Sequence, residues 1–344
     1  CIGKRKFVND LELIRQTASR IASWLPAGHL VYHVAPTRLA AVFPAPDEPP
    51  SGPRLDTLVT ILRTPIDCLG VPLSLQPGVG VLPVHAEELR GGDPLRRAMS
   101  ASFLALNQVR GWAVYDREQD ERERQEFFLV TELAAALNEG SELELYFQPR
   151  VEVASQRCTG FEALARWRHP TLGPVSPAVF VPLAEQAGLM RSLTAWVFEE
   201  GIRQLAAWHA AGLVLKLSLN LSAADVDPSL PRRLAAIAER HGVALEHLEL
   251  ELTEGTALRH TGATGETLAA LRAAGIGIAI DDYGVGYSNL DALRRMPATT
   301  LKIDQSLIRG MEPGSHDLAI VASMIALGHE LGFAVVLEGV ETDG

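Results

Sequence analysis

Six polar residues of this 344-residue chain sit on strand-like stretches where period-2 alternation separates two faces. In Leu215–Ser222, Leu215, Leu217, Leu219 and Leu221 share one face, and Lys216, Ser218 and Asn220 the other. In Leu248–Thr253, three leucines oppose Glu249, Glu251 and Thr253; in Ile276–Asp282, three isoleucines oppose Gly277, Ala279 and Asp281. The bulky faces suit surrounding helices. The inward faces then carry Glu162, Asn220, Glu251, Asp281, Lys302 and Glu338, all but Lys302 near the C-terminal ends of their strands. A single carboxylate at a strand end is usually only solvated. So many on one mouth would repel one another and take up protons unless cations neutralised them. An all-oxygen set with an Asn and no His or Cys suits hard divalent ions, Mg²⁺ or Mn²⁺. The adjacent pair Asp281-Asp282 offers one bridging and one terminal carboxylate to two ions, the usual clamp for phosphodiester hydrolysis. Lys302 would be a costly buried charge alone, so it is expected to pair with carboxylates or with the attacking water.

Holding these residues together takes repeated strand–helix units. Strands are expected at Leu143–Val151, Cys158–Trp167, Leu215–Ser222, Leu248–Thr253, Ile276–Asp282, Thr300–Asp304 and Ala334–Glu338. Helical periodicity fills Leu193–Ala211, Pro231–Arg240, Thr264–Ala274 and Asp317–Leu331. Such alternation predicts an α/β fold with a parallel sheet, here closed as a TIM-like barrel whose site lies at the C-terminal mouth. Between Val151 and Cys158 there is room only for a turn, so the first two strands are expected to be antiparallel. Upstream, a small α/β segment is predicted: a helix through Leu11, Ile14, Ala18, Ile21 and Leu25, and strands Leu30–His33 and Arg38–Phe43 joined by a hairpin turn. A helix at Leu55–Arg63, a strand at Leu73–Val81, a helix after Pro94 and a strand at Gly111–Tyr115 follow. The polar run Asp116–Glu126 leads into apolar periodicity at Phe127–Leu137. The domains are therefore expected at 1–117 and 141–344, with a linker helix over 118–140.

Hydrophobic residues make up 47% of the chain, enough for two buried cores. The net charge of -11 excludes a duplex nucleic-acid binder, which would neutralise phosphates with Lys and Arg. It leaves room for a phosphate-bearing ligand held through metal ions. Cys1, Cys68 and Cys158 show no CxxC spacing and read as reduced thiols of a cytoplasmic protein. No apolar run reaches the ~20 residues of a membrane span. The basic start Lys4-Arg5-Lys6 lacks a following apolar region and a Met, so a piece of something longer is expected, with membrane attachment only through a segment outside this chain.

Six motifs in order resemble the EAL domain family of cyclic di-GMP phosphodiesterases. They are Phe161-Glu162-Ala163-Leu164-Ala165-Arg166-Trp167, Asn220-Leu221-Ser222, Glu251-Leu252-Thr253-Glu254, Asp281-Asp282-Tyr283-Gly284-Val285-Gly286-Tyr287-Ser288, Leu301-Lys302-Ile303-Asp304 and Glu338-Gly339-Val340-Glu341. The resemblance implies that Glu162, Asn220, Glu251 and Asp281 hold one Mg²⁺ or Mn²⁺. Asp281 and Asp282 would hold a second, with Glu338 contributing directly or through water, and Lys302 would orient the nucleophilic water. It implies that Gln148, Leu164, Arg166 and Glu341 contact cyclic di-GMP. Glu254 would brace the loop Asp282–Ser288, which in the family also shapes a homodimer contact. Hydrolysis to linear pGpG is the implied activity, and a non-catalytic cyclic di-GMP receptor is the alternative. Tyr283 and Val285 depart from the family's usual Phe and Thr. An eighth strand, with a further site residue in a Gln-Gly motif, is expected beyond Gly344, roughly 20–30 residues on.

The upstream segment resembles a GGDEF (nucleotide-cyclase palm) domain in its order of elements and its place before an EAL domain. Its signature hairpin would fall at Ala35-Pro36-Thr37-Arg38-Leu39, where both glycines and both acidic positions are replaced. An inactive regulatory or dimerising module is therefore expected. Arg90-Gly91-Gly92-Asp93 is a decoy: Asp93 before Pro94 reads as a helix cap.

Overall fold

The computed structural model describes residues 2–43, 52–68, 70–85, 93–139, 141–258, 263–285, 290–312 and 314–340. The chain divides into two compact units, Cys1–Gln125 and Glu126–Gly344.

The first unit runs α1 (Ile2–Trp24), β1 (Val31–Ala35), β2 (Arg38–Ala41), α2 (Gly52–Arg63), β3 (Ile66–Cys68), β4 (Val71–Leu73), β5 (Val79–Val81), α3 (Pro94–Leu106) and β6 (Trp112–Val114), then enters α4 (Arg117–Glu139). Strands β1 and β2 form the expected antiparallel hairpin, with Ala35 opposite Arg38 and Pro36-Thr37 between them. Proline at the first corner position presets the φ that a turn needs. The stretch Leu73–Val81, read as one strand, is two: β4 pairs antiparallel with β3, and β5 pairs parallel with β6. Pro77 between them has no N–H to give to a ladder, so pairing stops and restarts on another partner. Asp93 caps α3 as expected, accepting the Arg96 backbone N–H at 3.0 Å, with Pro94 in the first turn. Arg90, Gly91 and Gly92 lie outside the described residues.

The second unit carries β7 (Leu143–Glu152), β8 (Arg157–His169), β9 (Gly173–Val175), α5 (Pro177–Gln186), α6 (Met190–Ala210), β10 (Lys216–Asn220), α7 (Leu230–His241), β11 (Leu248–Thr253), α8 (Glu254–Leu258), α9 (Ala263–Ala273), β12 (Gly277–Tyr283), α10 (Leu290–Arg295), β13 (Thr300–Ile303), α11 (Gln305–Arg309), α12 (His316–Glu330) and β14 (Ala334–Leu337). One sheet has the order β14-β13-β12-β11-β10-β8-β7, with β9 added to β8. Strands β7 and β8 are antiparallel, as their short connection requires, and every later step from β8 to β14 is parallel. The short β9, which holds Pro174, has no strand-like pattern of its own and was not expected.

The outward faces build the core. Leu217, Leu219, Leu250, Leu252, Ile278, Ile280 and Leu301 are buried with Phe198, Ile202 and Leu205 of α6 and Leu268 and Leu271 of α9. The sheet is curled: Lys302 on β13 touches Glu162 on β8 at 3.0 Å, four strand steps away. In a flat sheet those strands would stand about 19 Å apart. This is a TIM-like α/β architecture, an open curled sheet in place of the expected closed barrel among the described residues, with β7 and β14 at the two ends of the strand order.

Candidate active site

Four carboxylates, from β8, β11, β12 and the end of β14, converge on one ammonium group. Lys302 Nζ lies 2.6 Å from Glu251 Oε2, 2.7 Å from Glu338 Oε1, 2.9 Å from Asp281 Oδ1 and 3.0 Å from Glu162 Oε2. Asn220 Nδ2 donates to the other Glu162 oxygen at 3.1 Å. Glu162 sits mid-strand, not near a strand end as expected, because β8 runs on to His169 as an arm paired with β7 and β9. Within the β8–β10 ladder it still lies next to the last pair, Ala163 opposite Leu219.

Strand alternation alone would send Asp281 and Asp282 to opposite faces. A bulge prevents this. Ile280 pairs with Leu301 and Tyr283 with Ile303, so Asp281 and Asp282 together oppose the single residue Lys302. Asp282 adopts φ 54°, the left-handed region that Asp tolerates better than most residues. Carboxylate oxygens of Asp281, Asp282 and Glu338 consequently lie within 4.8 Å of one another. Glu338 follows β14, where its backbone N–H donates to Ile303 O at 3.1 Å. Gly339 then turns away at φ 70°, and a Cβ there would stand 2.5 Å from Gln305 Cβ, so the motif needs glycine.

The charges do not balance within the protein. A lysine has three N–H donors, and four carboxylates surround this one. Asp281 Oδ1 lies near the ammonium without hydrogen-bonding geometry, and buried Glu251 Oε1 has no partner among the described residues. Burial and the neighbouring Glu162 push the Glu251 carboxyl up to about 8. Burial, then Asp281, raises Asp282 above its ordinary value; burial does the same to Glu338 against the pull of Lys302. Burial disfavours the Lys302 ammonium, but Glu251, Glu162, Asp281 and Glu338 outweigh it and hold the group charged. Surplus buried carboxylate oxygens without partners, all hard donors, fit divalent cations.

Above the acidic cluster, the same faces of β7 and β8 continue as a wall. Gln148 pairs with Glu162, Tyr146 with Leu164 and Glu144 with Arg166. The Arg166 guanidinium lies 5.4 Å from the centre of the Tyr146 ring, and Arg168 donates to the Tyr146 hydroxyl at 2.7 Å. Tyr146 and Arg168 were not expected there, although their even-numbered register with Gln148 and Arg166 signals it. Glu254 accepts the Gly284 backbone N–H at 3.2 Å, at the start of the loop after β12. Residues 286–289 and Glu341 lie outside the described residues.

Two residues below the cluster on each strand lies a second polar layer that the sequence reading left unassigned. Buried Glu249 accepts from Arg150, from Ser218 Oγ at 2.9 Å and from Thr300 Oγ1 at 2.6 Å. Burial opposes ionisation of Glu249, but Arg150, Thr300 and Ser218 prevail and keep its carboxyl below the ordinary value.

The EAL domain family matches residues 130–344. The chain is 39% identical over 338 residues to the cyclic di-GMP phosphodiesterase PA2567 of Pseudomonas aeruginosa, covering 98% of this chain and 57% of that protein. It is 32% identical over 339 residues to the bifunctional diguanylate cyclase/cyclic di-GMP phosphodiesterase MucR of the same organism, covering 98% of this chain and 49% of that one. The chain thus spans about half the length of these curated relatives. Among solved structures, the PaMucR phosphodiesterase in complex with c-di-GMP matches with TM-score 0.59 and 40% identity, over 62% of this chain and 87% of that one. EAL domains are generally metal-dependent, and the acidic cluster such an ion needs is present. With the ordered motifs, the curled sheet and the lysine-centred acidic mouth in agreement, the chain belongs to the EAL domain family.

Proposed function

We propose that this chain hydrolyses cyclic di-GMP to linear pGpG at the mouth around Lys302, with two Mg²⁺ or Mn²⁺ ions. The observation that carries the reading is the ratio at that mouth: one ammonium inside four carboxylates drawn from separate strand elements. The similarity to PA2567 and to PaMucR with c-di-GMP bound supports the substrate. Glu162, Asn220, Glu251 and Asp281 would hold one ion, and Asp281 and Asp282, with Glu338, the other. When bound, the ions supply Lewis-acid polarisation of a phosphoryl oxygen and a more acidic water.

The protein's own groups do the remainder. Lys302, held charged by the carboxylates around it, would set its positive charge beside the attacking oxygen. Glu338, beside Lys302 at the mouth, would exchange a proton with water there. Gln148, Leu164 and Arg166 line the wall along which the dinucleotide would lie, and Tyr146 adds an aromatic face. Glu341 would contact the substrate, and Glu254 would hold the loop after β12. Hydrolysis adds one water across one phosphodiester: a phosphorus–oxygen bond forms, the bond to the ribose oxygen breaks, and that oxygen leaves protonated. The first unit serves as a GGDEF-like module without cyclase activity, regulatory or dimerising, with the second unit forming the homodimer contact. The alignment of nearly the whole chain with bifunctional MucR supports the GGDEF-like part of that reading, and the hairpin tip without glycines or acidic residues supports the lack of cyclase activity. No described helix is long and apolar enough to cross a membrane. The free thiol of exposed Cys158 accords with the proposed cytoplasmic site of action.

The test is incubation of the purified protein with cyclic di-GMP and Mg²⁺ or Mn²⁺, with separation of products. Linear pGpG is expected. Tight binding of cyclic di-GMP with no product under any divalent ion would replace the enzyme by a receptor.

A further inference from the structure

The layer beneath Lys302 assigns a role to Arg150 that rests on the reading of the mouth as a metal-dependent hydrolytic site. Four side chains of this layer each sit two residues from a residue of the mouth: Arg150 from Gln148, Ser218 from Asn220, Glu249 from Glu251 and Thr300 from Lys302. At period 2 they share the inward face. Glu249 is a buried carboxylate directly under Glu251, on the face that Lys302 also enters. An unsatisfied carboxylate there would be a fifth claimant on the Lys302 ammonium, from below. It is saturated instead: Arg150 and Ser218 bind Oε1, and Thr300 binds Oε2. Arg150 Nη1 also donates to Ser218 Oγ at 2.6 Å, which fixes that hydroxyl's lone pairs and proton. Gly277 makes the room, since a Cβ there would come within 3.1 Å of Glu249 Cγ. Lys302 accordingly keeps its ammonium among the upper carboxylates, 2.6–3.0 Å from four of their oxygens.

We propose that Arg150 is a positioning residue: by neutralising Glu249 it keeps the layer under the site free of net charge, so that the Lys302 ammonium stays at the metal-binding mouth. Arg150 touches neither substrate nor ion in this assignment. Its effect runs through where Lys302 points, and what matters is the neutrality of the Arg150–Glu249 pair, not the guanidinium itself.

Three measurements test this. In a metal-free crystal structure of Arg150→Met, Lys302 Nζ is expected to swing toward Glu249; an ammonium unmoved from the four carboxylates overturns the proposal. In cyclic di-GMP hydrolysis, Arg150→Met is expected to lose roughly 10–100-fold in kcat, with a smaller change in KM. The double variant Arg150→Met/Glu249→Gln removes both charges of the pair and is expected to recover most of that kcat. A folded double variant as slow as the single one overturns the proposal, and if the single variant does not fold, the double variant decides alone. Absence of turnover in the unaltered protein would refute the hydrolytic reading and leave the crystallographic arm to decide the position of Lys302.

Discussion

Lys302 Nζ donates to Glu251 Oε2 at 2.6 Å while the other oxygen of Glu251, equally buried, has no partner among the described residues. The free oxygen is where the proposed ion would bind. Glu251 has an ordinary value of 4.5 and is pushed up to about 8 by burial and Glu162. A carboxyl raised on folding prefers its neutral form in the fold. Its ionisation works against stability progressively from the ordinary value up to about 8, and the cost is constant above. Ligation requires the ionised form, so ion binding expels the proton. Mg²⁺ affinity is predicted to rise about tenfold per pH unit up to about 8 and then level off. Calorimetric titrations in buffers of different ionisation enthalpy read the released proton. Affinity independent of pH would refute the assignment of Glu251 as a ligand.

Removing the lysine exposes the same imbalance from the other side. Lys302→Met leaves buried carboxylates facing one another without their cation. Losing one partner of a buried ionic cluster costs about 3–5 kcal/mol, and the carboxyls can recover part of that by taking up protons. The metal-free variant is predicted to melt lower than the parent, with a gap that widens as pH rises and narrows when millimolar Mg²⁺ is added. Equal thermal unfolding of the two metal-free proteins would show that Lys302 does not hold the mouth together.

A single ligand also separates metal binding from substrate contact. Glu162 accepts from both Asn220 and Lys302, so Glu162→Ala removes a shared anchor. Turnover is predicted to fall at least 100-fold and to stay low at saturating Mn²⁺. Metal-free cyclic di-GMP binding is predicted to persist, through Gln148 and Arg166. Near-normal turnover with excess Mn²⁺ would remove Glu162 from the ligand set.

Much of this site was legible because alternation is a rigid rule. Once Leu217, Leu250 and Ile278 were placed outward, Asn220, Glu251 and Asp281 had to face inward. The bulge was not legible: two consecutive aspartates give no sign that both oppose one lysine, since that depends on how β12 is registered against β13. The lower layer was visible as residue types but carried no signal, because Ser218, Glu249 and Thr300 become a unit only when Arg150 arrives from the antiparallel β7. In the first unit the hairpin at Pro36 was readable from turn chemistry. The split between β4 and β5 turned on which partner each found, a tertiary matter that Pro77 only hints at.

The hairpin bears on a second activity. Its tip offers Ala35, Pro36, Thr37 and Arg38, with no acidic side chain for an ion and no pair of glycines to let a phosphate approach the backbone. The first unit is predicted to make no cyclic di-GMP from GTP. Labelled GTP supplied to an Asp281→Ala protein, in which hydrolysis cannot hide the product, is the sensitive assay. Labelled cyclic di-GMP in that background would refute the inactive reading of the first unit.

The left-handed Asp282 allows backbone and charge to be tested apart. At φ 54° the residue must tolerate a conformation that costs ordinary side chains about 1–2 kcal/mol, and β-branched ones most. Asn tolerates it at least as well as Asp but cannot supply a negative charge. Asp282→Asn is therefore predicted to melt like the parent and to lose most of its turnover, because the bulge persists while a proposed ligand to the second ion is weakened. Asp282→Val is predicted to lose turnover and about 1–2 kcal/mol of stability as well. Thermal unfolding and kcat, measured on both variants, separate the two effects. Equal melting of the Asn and Val variants would show that the bulge can be rebuilt without the left-handed residue. Undiminished turnover in the Asn variant would take Asp282 out of the metal site and leave Asp281 and Glu338 to hold any second ion.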